Sequence, residues 1–347
     1  MKQVLHHIPM LRISIFLTLF VLAACTFNAT GIQMAPGWTA QSLSVWRDHH
    51  PDMMVVSRDG KWLYISCETH ASLLAPSLLV VNIKTGKQHI LLFGLHKADG
   101  LKMAPDGSLW LGEEFDDGLF WRITEPDQLP DEQRVDRSTL QTSSPAITPL
   151  HRAGNFAHEG LAFSKNGRFA YMADEWEEGC IYRYDMQKHQ LEVMHEHKGW
   201  LAIRDSKNAR MDAEKLHGQY FNRLEDMETL PDGRVLLSET GTGRILVLDD
   251  NGEQPKVSLW LENSALIHPD NLAWDEARGW LWITDDDEPS YLWAWDGHTL
   301  REIAHYDAGE ITGVTLHQRD VYINVQRKLG QPEMLIKLSE KAGGEAS

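Results

Sequence analysis

A repeated sequence unit is the feature that most constrains what this chain can fold into. Each unit has an acidic or polar residue, a small residue and an apolar residue, then a turn, then an apolar run that mostly ends in acids. Five copies are clear and the sixth is degenerate, and they begin at Asp52, Asp99, Glu159, Glu225, Asp270 and Thr312. The Asp-Gly and Asn-Gly turns supply the positive φ of a tight hairpin, and apolar stretches flank them. Each unit therefore predicts a β-hairpin.

Further strands follow each hairpin. A third apolar stretch occurs in every unit, such as 78–83, and a fourth occurs in most units, such as 89–93. Four strands in about 45 residues are typical of a propeller blade. The last unit has no fourth strand, and 38–46 can supply it. The sequence predicts an all-β, six-bladed β-propeller over 38–340, with an N-terminal strand closing the last blade and a polar tail over 341–347.

The N-terminus resembles an export signal. Lys2 and Arg12 precede and flank an apolar run of 12 residues, Ile13 to Ala24, which is too short to span a bilayer but suits a signal peptide. The run ends in Leu-Ala-Ala-Cys25, similar to a lipobox. We expect a signal peptide over 1–24, lipidation of Cys25, a linker over 25–37, and a protein anchored in an outer membrane facing the periplasm. The alternative is an ordinary secretory signal.

Charge and cysteine content restrict the partners. The net charge of −17 argues against nucleic acid, which requires basic surfaces, and is compatible with bound cations. Cys67 and Cys180 would meet an oxidising compartment, where they could pair. Two segments, Glu125–Pro149 and Gly199–Gln219, are longer than the equivalent parts of the other repeats. They could form a lid over one face of the propeller or be additional surface structure with no role at the site.

Acids recur at both ends of the strands that should line the central channel. Like charges crowded together repel, and calcium, which takes about six to eight oxygen ligands, relieves that repulsion. The predicted metal ligands are Glu68, Asp99, Glu113, Glu114, Glu159, Glu225, Asp226, Glu239, Asp270 and Asp285. The alternative is that these acids only solvate turns and loops.

Two other residues are candidates for catalysis. His158 directly precedes Glu159 and could bind a metal or carry a proton, or it could be a neutral structural histidine. Arg223 lies two residues before Glu225, and residues i and i+2 of a strand share a face. Its planar guanidinium could therefore bind an anion in the same cleft, pair with the acids, or do both.

Four stretches resemble the PhoX-type alkaline phosphatases. They are 107–123, 154–163, 221–241 and 268–287. This resemblance implies a propeller that hydrolyses phosphomonoesters with calcium and iron, with Glu114, Glu159, Glu225 and Asp270 as metal ligands and Arg223 on the phosphate. The iron-binding cysteine of the family is Gly112 here, which favours calcium over iron. The repeat pattern is also similar to gluconolactonase and senescence-marker propellers.

Three functions follow from these patterns. The first is a calcium-dependent hydrolase acting on a phosphate ester. The second is a sugar-lactone hydrolase that uses one metal. The third is a non-catalytic lipoprotein whose propeller binds a partner or glycan. These functions imply binding of a small molecule, a glycan or a protein partner. In each case we expect the membrane to be contacted through the lipid anchor alone.

Overall fold

A computed structural model of the chain describes residues 31–72, 74–252, 254–327 and 331–341. Six sheets, each with four antiparallel main strands, surround a central channel, so the predicted six-bladed propeller is confirmed. The predicted signal peptide over 1–24 and the predicted lipidation site Cys25 lie outside the described residues. No helix in these ranges combines the length and the apolar content needed to span a bilayer.

Each blade has four main strands that follow one another from the channel outwards. Blade 1 comprises Pro51–Val56, Trp62–Cys67, Pro76–Asn82 and Gln88–Phe93. Blade 2 comprises Ala98–Met103, Leu109–Glu113, Trp121–Ile123 and Ile147–Pro149. Blade 3 comprises His158–Phe163, Phe169–Asp174, Gly179–Asp185 and Gln190–His195. Blade 4 comprises Leu224–Thr229, Val235–Glu239, Arg244–Asp249 and Lys256–Glu262. Blade 5 comprises Pro269–Asp275, Trp280–Asp285, Ser290–Trp295 and Leu300–Tyr306. Blade 6 comprises Glu310–His317, Asp320–Gln326, Pro332–Glu340 and Trp38–Arg47.

Blade 6 closes the ring as predicted. Its outermost strand, Trp38–Arg47, comes from the N-terminal part of the chain and pairs antiparallel with Pro332–Glu340. Gln33–Met34, inside the segment expected to be a linker, adds a short strand to the outer edge of blade 5. Hydrogen bonds between the two ends of the chain thus hold the ring shut.

The two long segments attach to the outer parts of blades. From the first segment, Gln133–Asp136 and Gln141–Thr142 extend blade 1 at its outer edge. The second segment provides Gly199–Ala202, helix α1 (Ala209–Lys215) and Tyr220–Phe221, and all three belong to blade 3 or border it. Short 3-10 helices occur at Pro126–Gln128, Ser206–Asn208 and Thr240–Thr242.

Apolar side chains fill the space between neighbouring blades. Trp121 and Trp282 are fully buried, and Trp38 of blade 6 meets Trp282 of blade 5 edge to face at 5.5 Å. This is the blade-packing role expected for most of the 13 tryptophans.

All six innermost strands carry a register shift at the first positions of the repeat. Such a bulge re-aims the side chain beside it. The small residue that follows permits close contact between blades, because a Cβ at Gly100 would lie 2.3 Å from the carbonyl oxygen of Glu159. Gly160 and Gly313 have equally close contacts with the carbonyls of Glu225 and Asp52. The repeat therefore brings acids from neighbouring blades together at the axis.

Candidate functional site

A cavity of about 200 Å³ lies at one end of the channel. We call the surface onto which it opens the cavity face; it is formed by the loops after the second strands and by the connections between blades. The cavity is lined by ten carboxylates and two cations: Asp52, Glu68, Asp99, Glu114, Glu159, Glu175, Glu225, Asp270, Asp286, Glu310, Lys97 and Arg223.

Five of these acids form an inner ring, and each is the first residue of its repeat: Asp52, Asp99, Glu159, Glu225 and Asp270. All five are buried. Burial, together with repulsion from neighbouring carboxylates, raises the pKa of all five; that of Glu225 rises to about 7. Oδ1 of Asp52 and Oδ1 of Asp99 are buried without a hydrogen-bond partner. Two carboxylate oxygens of cavity-lining residues thus lack a donor within the described chain.

Four acids form an outer ring just after the second strands: Glu68, Glu114, Glu175 and Asp286. Burial, followed by repulsion from Glu68, raises the pKa of Glu114 to about 8. Burial also raises the pKa of Glu175, against the opposing effect of Arg223.

The residue before each outer-ring position points away from the cavity, because successive side chains of a strand face opposite ways. Glu113 accepts a hydrogen bond from Arg137 Nε at 2.9 Å and from Trp121 Nε1 at 3.2 Å. Asp285 accepts one from Trp293 Nε1 at 2.9 Å.

Glu239 behaves in the same way, accepting hydrogen bonds from the backbone N of Asn222 and from Arg244. Glu113, Glu239 and Asp285, which the sequence predicts as ligands, therefore do not line the cavity. They hold the loops around it instead.

Asp226 and His158 also lie outside the cavity lining. Asp226 is buried between blades, where it accepts a hydrogen bond from the backbone N of Leu272 at 2.9 Å and lies 3.5 Å from Lys102 Nζ. Its role is to join blade 4 to blade 5.

The His158 ring is fully buried, with its centroid 4.2 Å from that of Phe120 and 4.0 Å from that of Phe156. Its Nε2 lies 3.0 Å from the carbonyl oxygen of Gly154. Burial lowers the pKa of His158 to about 3, so the ring is neutral. The structural alternative for this histidine fits these contacts, and the metal or proton-carrying role does not.

Arg223 lines the cavity, but it precedes the strand Leu224–Thr229 and has a φ of 52°, so the alternation of strand side chains is not what places it there. Its Nε donates to Glu175 Oε1 at 2.7 Å, and its Nη2 lies 2.9 Å from Glu225 Oε1 and 3.8 Å from Asp286 Oδ2. Lys97 holds the matching place in blade 2 and donates to both oxygens of Glu114 at 2.9 Å. Arg223 thus links an inner-ring acid to outer-ring acids, and Lys97 orients one outer-ring acid.

Sequence reasoning missed four cavity residues, which are Asp52, Lys97, Asp286 and Glu310, and it placed a fifth, Glu175, among the strand-end acids without proposing it as a metal ligand. Asp52 is the first residue of its own repeat, and Glu175 and Asp286 are the second acids of the pairs that end their strands. Lys97 and Glu310 lie two residues before the first position of a repeat, the same spacing that separates Arg223 from Glu225. The signals for all five were therefore present in the repeat.

The carboxylates form three groups that could each surround a cation: Asp52, Glu68 and Asp99; Glu114, Glu159 and Glu175; and Glu159, Glu225 and Asp270. Within each group the ligand atoms lie within 4.8 Å of one another. Ligands on opposite sides of one calcium ion are about 4.8 Å apart, twice a typical Ca–O distance of about 2.4 Å. These residues and their unpartnered oxygens thus fit a hard divalent cation.

A second cavity of about 440 Å³ adjoins the first on the same face. It shares Asp286 and Glu310 with the acid cavity and is further lined by His50, Asp287, Glu288, Gly309, Gln326 and Arg327. It offers room for the body of a small molecule whose reacting group lies among the carboxylates.

Neither cysteine in the described ranges contributes to the cavity lining. Cys67 and Cys180 are buried and free, in blades 1 and 3, so the possible pairing is not formed. Burial raises the pKa of both thiols, that of Cys180 to about 12.

Comparison with solved structures shows which proteins share this fold. A luciferin-regenerating enzyme superposes with a TM-score of 0.62 at 8% identity, covering 88% of this chain and 96% of its own. The gluconolactonase XC5397 from Xanthomonas campestris gives 0.59 at 13% identity, covering 89% and 91%. An auxiliary nutrient binding protein from Bacteroides thetaiotaomicron gives 0.54 at 11% identity, covering 85% and 70%.

At these identities the likeness shows the fold alone, and the fold is shared by enzymes and by a binding protein. No protein-family model and no curated protein sequence matches the chain. The similarity to gluconolactonase-like propellers is therefore supported at the level of architecture, and the resemblance to PhoX phosphatases gains no support.

Proposed function

We propose that this protein is a divalent-cation-dependent hydrolase that acts on a lactone or a related carboxylic ester. The observation that carries the proposal is the convergence of ten carboxylates on one small cavity, with buried oxygens of Asp52 and Asp99 that have no hydrogen-bond donor among the described residues. The architectural likeness to a gluconolactonase supports the choice of substrate class.

Glu159, Glu225 and Asp270 are the residues that we expect to hold the cation, because all three are buried and their ligand atoms converge. A divalent cation at this place supplies Lewis-acid activation of an ester carbonyl and of water. Arg223 fixes Glu225 and Glu175, and Lys97 fixes Glu114, so the rings keep their positions around the substrate. The adjoining cavity would receive the rest of the molecule.

The charge balance favours a neutral substrate. The lining has ten acidic side chains and two basic ones, and both basic side chains are already paired with acids. A phosphomonoester, which is close to dianionic at neutral pH, would meet strong repulsion there. A lactone carries no formal charge at its reacting group and avoids that cost.

Phosphomonoester hydrolysis is the second candidate, and the position of Arg223 in the cavity is the observation in its favour. It requires Arg223 to exchange its contacts with Glu175 and Glu225 for the phosphate. A non-catalytic propeller that binds a partner or glycan is the third candidate, because the same fold occurs in a nutrient-binding protein.

We also propose that the enzyme is exported and anchored by an acyl group on Cys25. The apolar segment over 13–24 and the Leu-Ala-Ala-Cys sequence support this anchor.

The test is hydrolysis of gluconolactone and p-nitrophenyl acetate by the mature protein, before and after chelation and with calcium restored. We expect turnover that chelation abolishes, that Glu159→Gln abolishes, and that Glu276→Gln, an exposed acid on the turn between the first two strands of blade 5, leaves unchanged. Hydrolysis of p-nitrophenyl phosphate alone would favour the second candidate. Bound cation without turnover of any ester would favour the third.

A further inference from the structure

We infer that the cavity face of the propeller docks on the surface of a lipid bilayer, so that the acid cavity opens towards the membrane. The inference rests on the proposed lipid anchor at Cys25 and does not require the proposed hydrolytic activity.

The first observation is where the described chain begins. A Cβ at Gly31 would lie 3.4 Å from Cε2 of Tyr306 and 3.9 Å from Nη2 of Arg327. Tyr306 ends the fourth strand of blade 5, and Arg327 lines the cavity that adjoins the acid cavity. The described chain therefore begins on the cavity face, beside the cavity mouth.

The second observation is the short distance to the anchor. Five residues separate Cys25 from Gly31, and this stretch spans at most about 20 Å when fully extended. The ten-residue strand Trp38–Arg47 rises about 33 Å between the two faces of the propeller. A chain of this length cannot bring the opposite face to the bilayer surface, whereas the cavity face lies within its reach.

The third observation is the position of exposed apolar side chains. Seven large hydrophobic side chains are exposed among the described residues, and five of them lie on or beside loops of the cavity face: Leu74, Trp176, Met211, Tyr220 and Ile267. Leu74 follows the second strand of blade 1, Trp176 follows that of blade 3, and Ile267 lies in the connection from blade 4 to blade 5. Leu74 is 84% exposed and Ile267 is 58% exposed.

These side chains have the chemistry of membrane-interface residues. Tryptophan and tyrosine favour the headgroup level of a bilayer, and leucine, isoleucine and methionine favour the acyl boundary. Because they surround an acidic mouth on a chain of net charge −17, we expect the docked surface to be a neutral one, such as zwitterionic phospholipid.

The test uses the lipidated mature protein in phosphatidylcholine vesicles. One variant carries Ile267→Cys on the cavity face, and the matched control carries Lys84→Cys, an exposed position on the opposite face. Each cysteine is labelled with a small fluorophore; Cys67 and Cys180 are buried and do not react in the folded protein. Quenching by brominated phosphatidylcholine then reports contact with lipid, and mass spectrometry reports acylation of Cys25.

We expect quenching at Ile267→Cys by roughly twofold and none at Lys84→Cys, because only the first label would lie at the interface. Equal quenching at both positions, or quenching at Lys84→Cys alone, would overturn the inference. It would also be overturned by an unmodified Cys25, or by a label at Ile267→Cys that is shielded by a second copy of the chain and not by lipid. None of these readouts depends on catalysis, so failure of the hydrolase proposal would be recognised separately.

Discussion

Without a bound cation, Glu114 should destabilise the propeller. Its pKa is about 8 in the folded chain against an ordinary 4.5, because the side chain is buried and lies near Glu68. At pH 7 the carboxyl is largely protonated when folded and ionised when unfolded. The interval from pH 4.5 to pH 7 corresponds to about 3 kcal/mol in favour of the unfolded chain, at about 1.4 kcal/mol per pH unit.

The replacement Glu114→Gln removes this penalty, because glutamine resembles the protonated side chain in both states. In the presence of a chelator and at pH 7, we expect the free energy of unfolding of the variant to exceed that of the wild type by about 3 kcal/mol. For a domain of this size, this difference raises Tm by about 5 °C. The unfolded chain binds fewer protons than the folded chain between pH 4.5 and 8. Stability of the wild-type apo protein should therefore fall as pH rises through that window, and the variant should show a flatter profile.

Scanning calorimetry with and without calcium checks both effects. Calcium should raise Tm of the wild type, and by less in Glu114→Gln, because a neighbour of the cation site has lost its charge. Glu276→Gln serves as the control and should change neither value. A lower Tm of Glu114→Gln under chelation would refute the reasoning, because it would mean that the ion pair with Lys97 outweighs the burial of the carboxylate.

Three further perturbations test the architecture around the cavity. Arg137→Ala leaves the fully buried Glu113 without its ion pair and should lower the free energy of unfolding, measured with urea, by about 3 kcal/mol. An unchanged urea midpoint would contradict the stabilising role of this ion pair. Gly100→Ala places a Cβ 2.3 Å from the carbonyl of Glu159 and should cost roughly 2 kcal/mol or more, whereas Gly252→Ala, whose nearest neighbour is 4.0 Å away, should be tolerated. Equal unfolding midpoints for the two glycine variants would show that the blades do not approach so closely. Both cysteines of the described chain should react with a thiol reagent only after unfolding, and a native reaction would show that one of them is accessible.

The sequence predicts the fold closely because each blade carries its own copy of the repeat. Turn glycines and apolar runs specify the hairpins, and the missing fourth strand of the last unit leaves one place for the N-terminal strand. The exact role of Gln33–Met34 could not be predicted, because two residues on the edge of blade 5 carry no periodic signal.

The candidate site is predictable only in part. The first residues of the repeats enter the cavity as expected, since the bulge recurs in every innermost strand. At paired acids such as Glu113 and Glu114, however, the sequence does not say where the strand ends, and that point decides which side chain faces the axis. Asp226 lies between blades and not in the cavity lining, and the sequence could not indicate this because its hydrogen bond to the next blade is a long-range contact. Glu310 was missed because its repeat has Thr312 at the usual acidic position.

Calcium binding measured by isothermal titration calorimetry tests the central claim most directly, using chelated mature protein, Glu159→Gln and Glu276→Gln. The account predicts calcium binding to the wild type and to Glu276→Gln, with the affinity lost or reduced at least about tenfold in Glu159→Gln, because a buried ligand has been removed. Absence of calcium binding by the wild type, or equal affinity in all three proteins, would contradict the claim that the carboxylates of the cavity form a cation site.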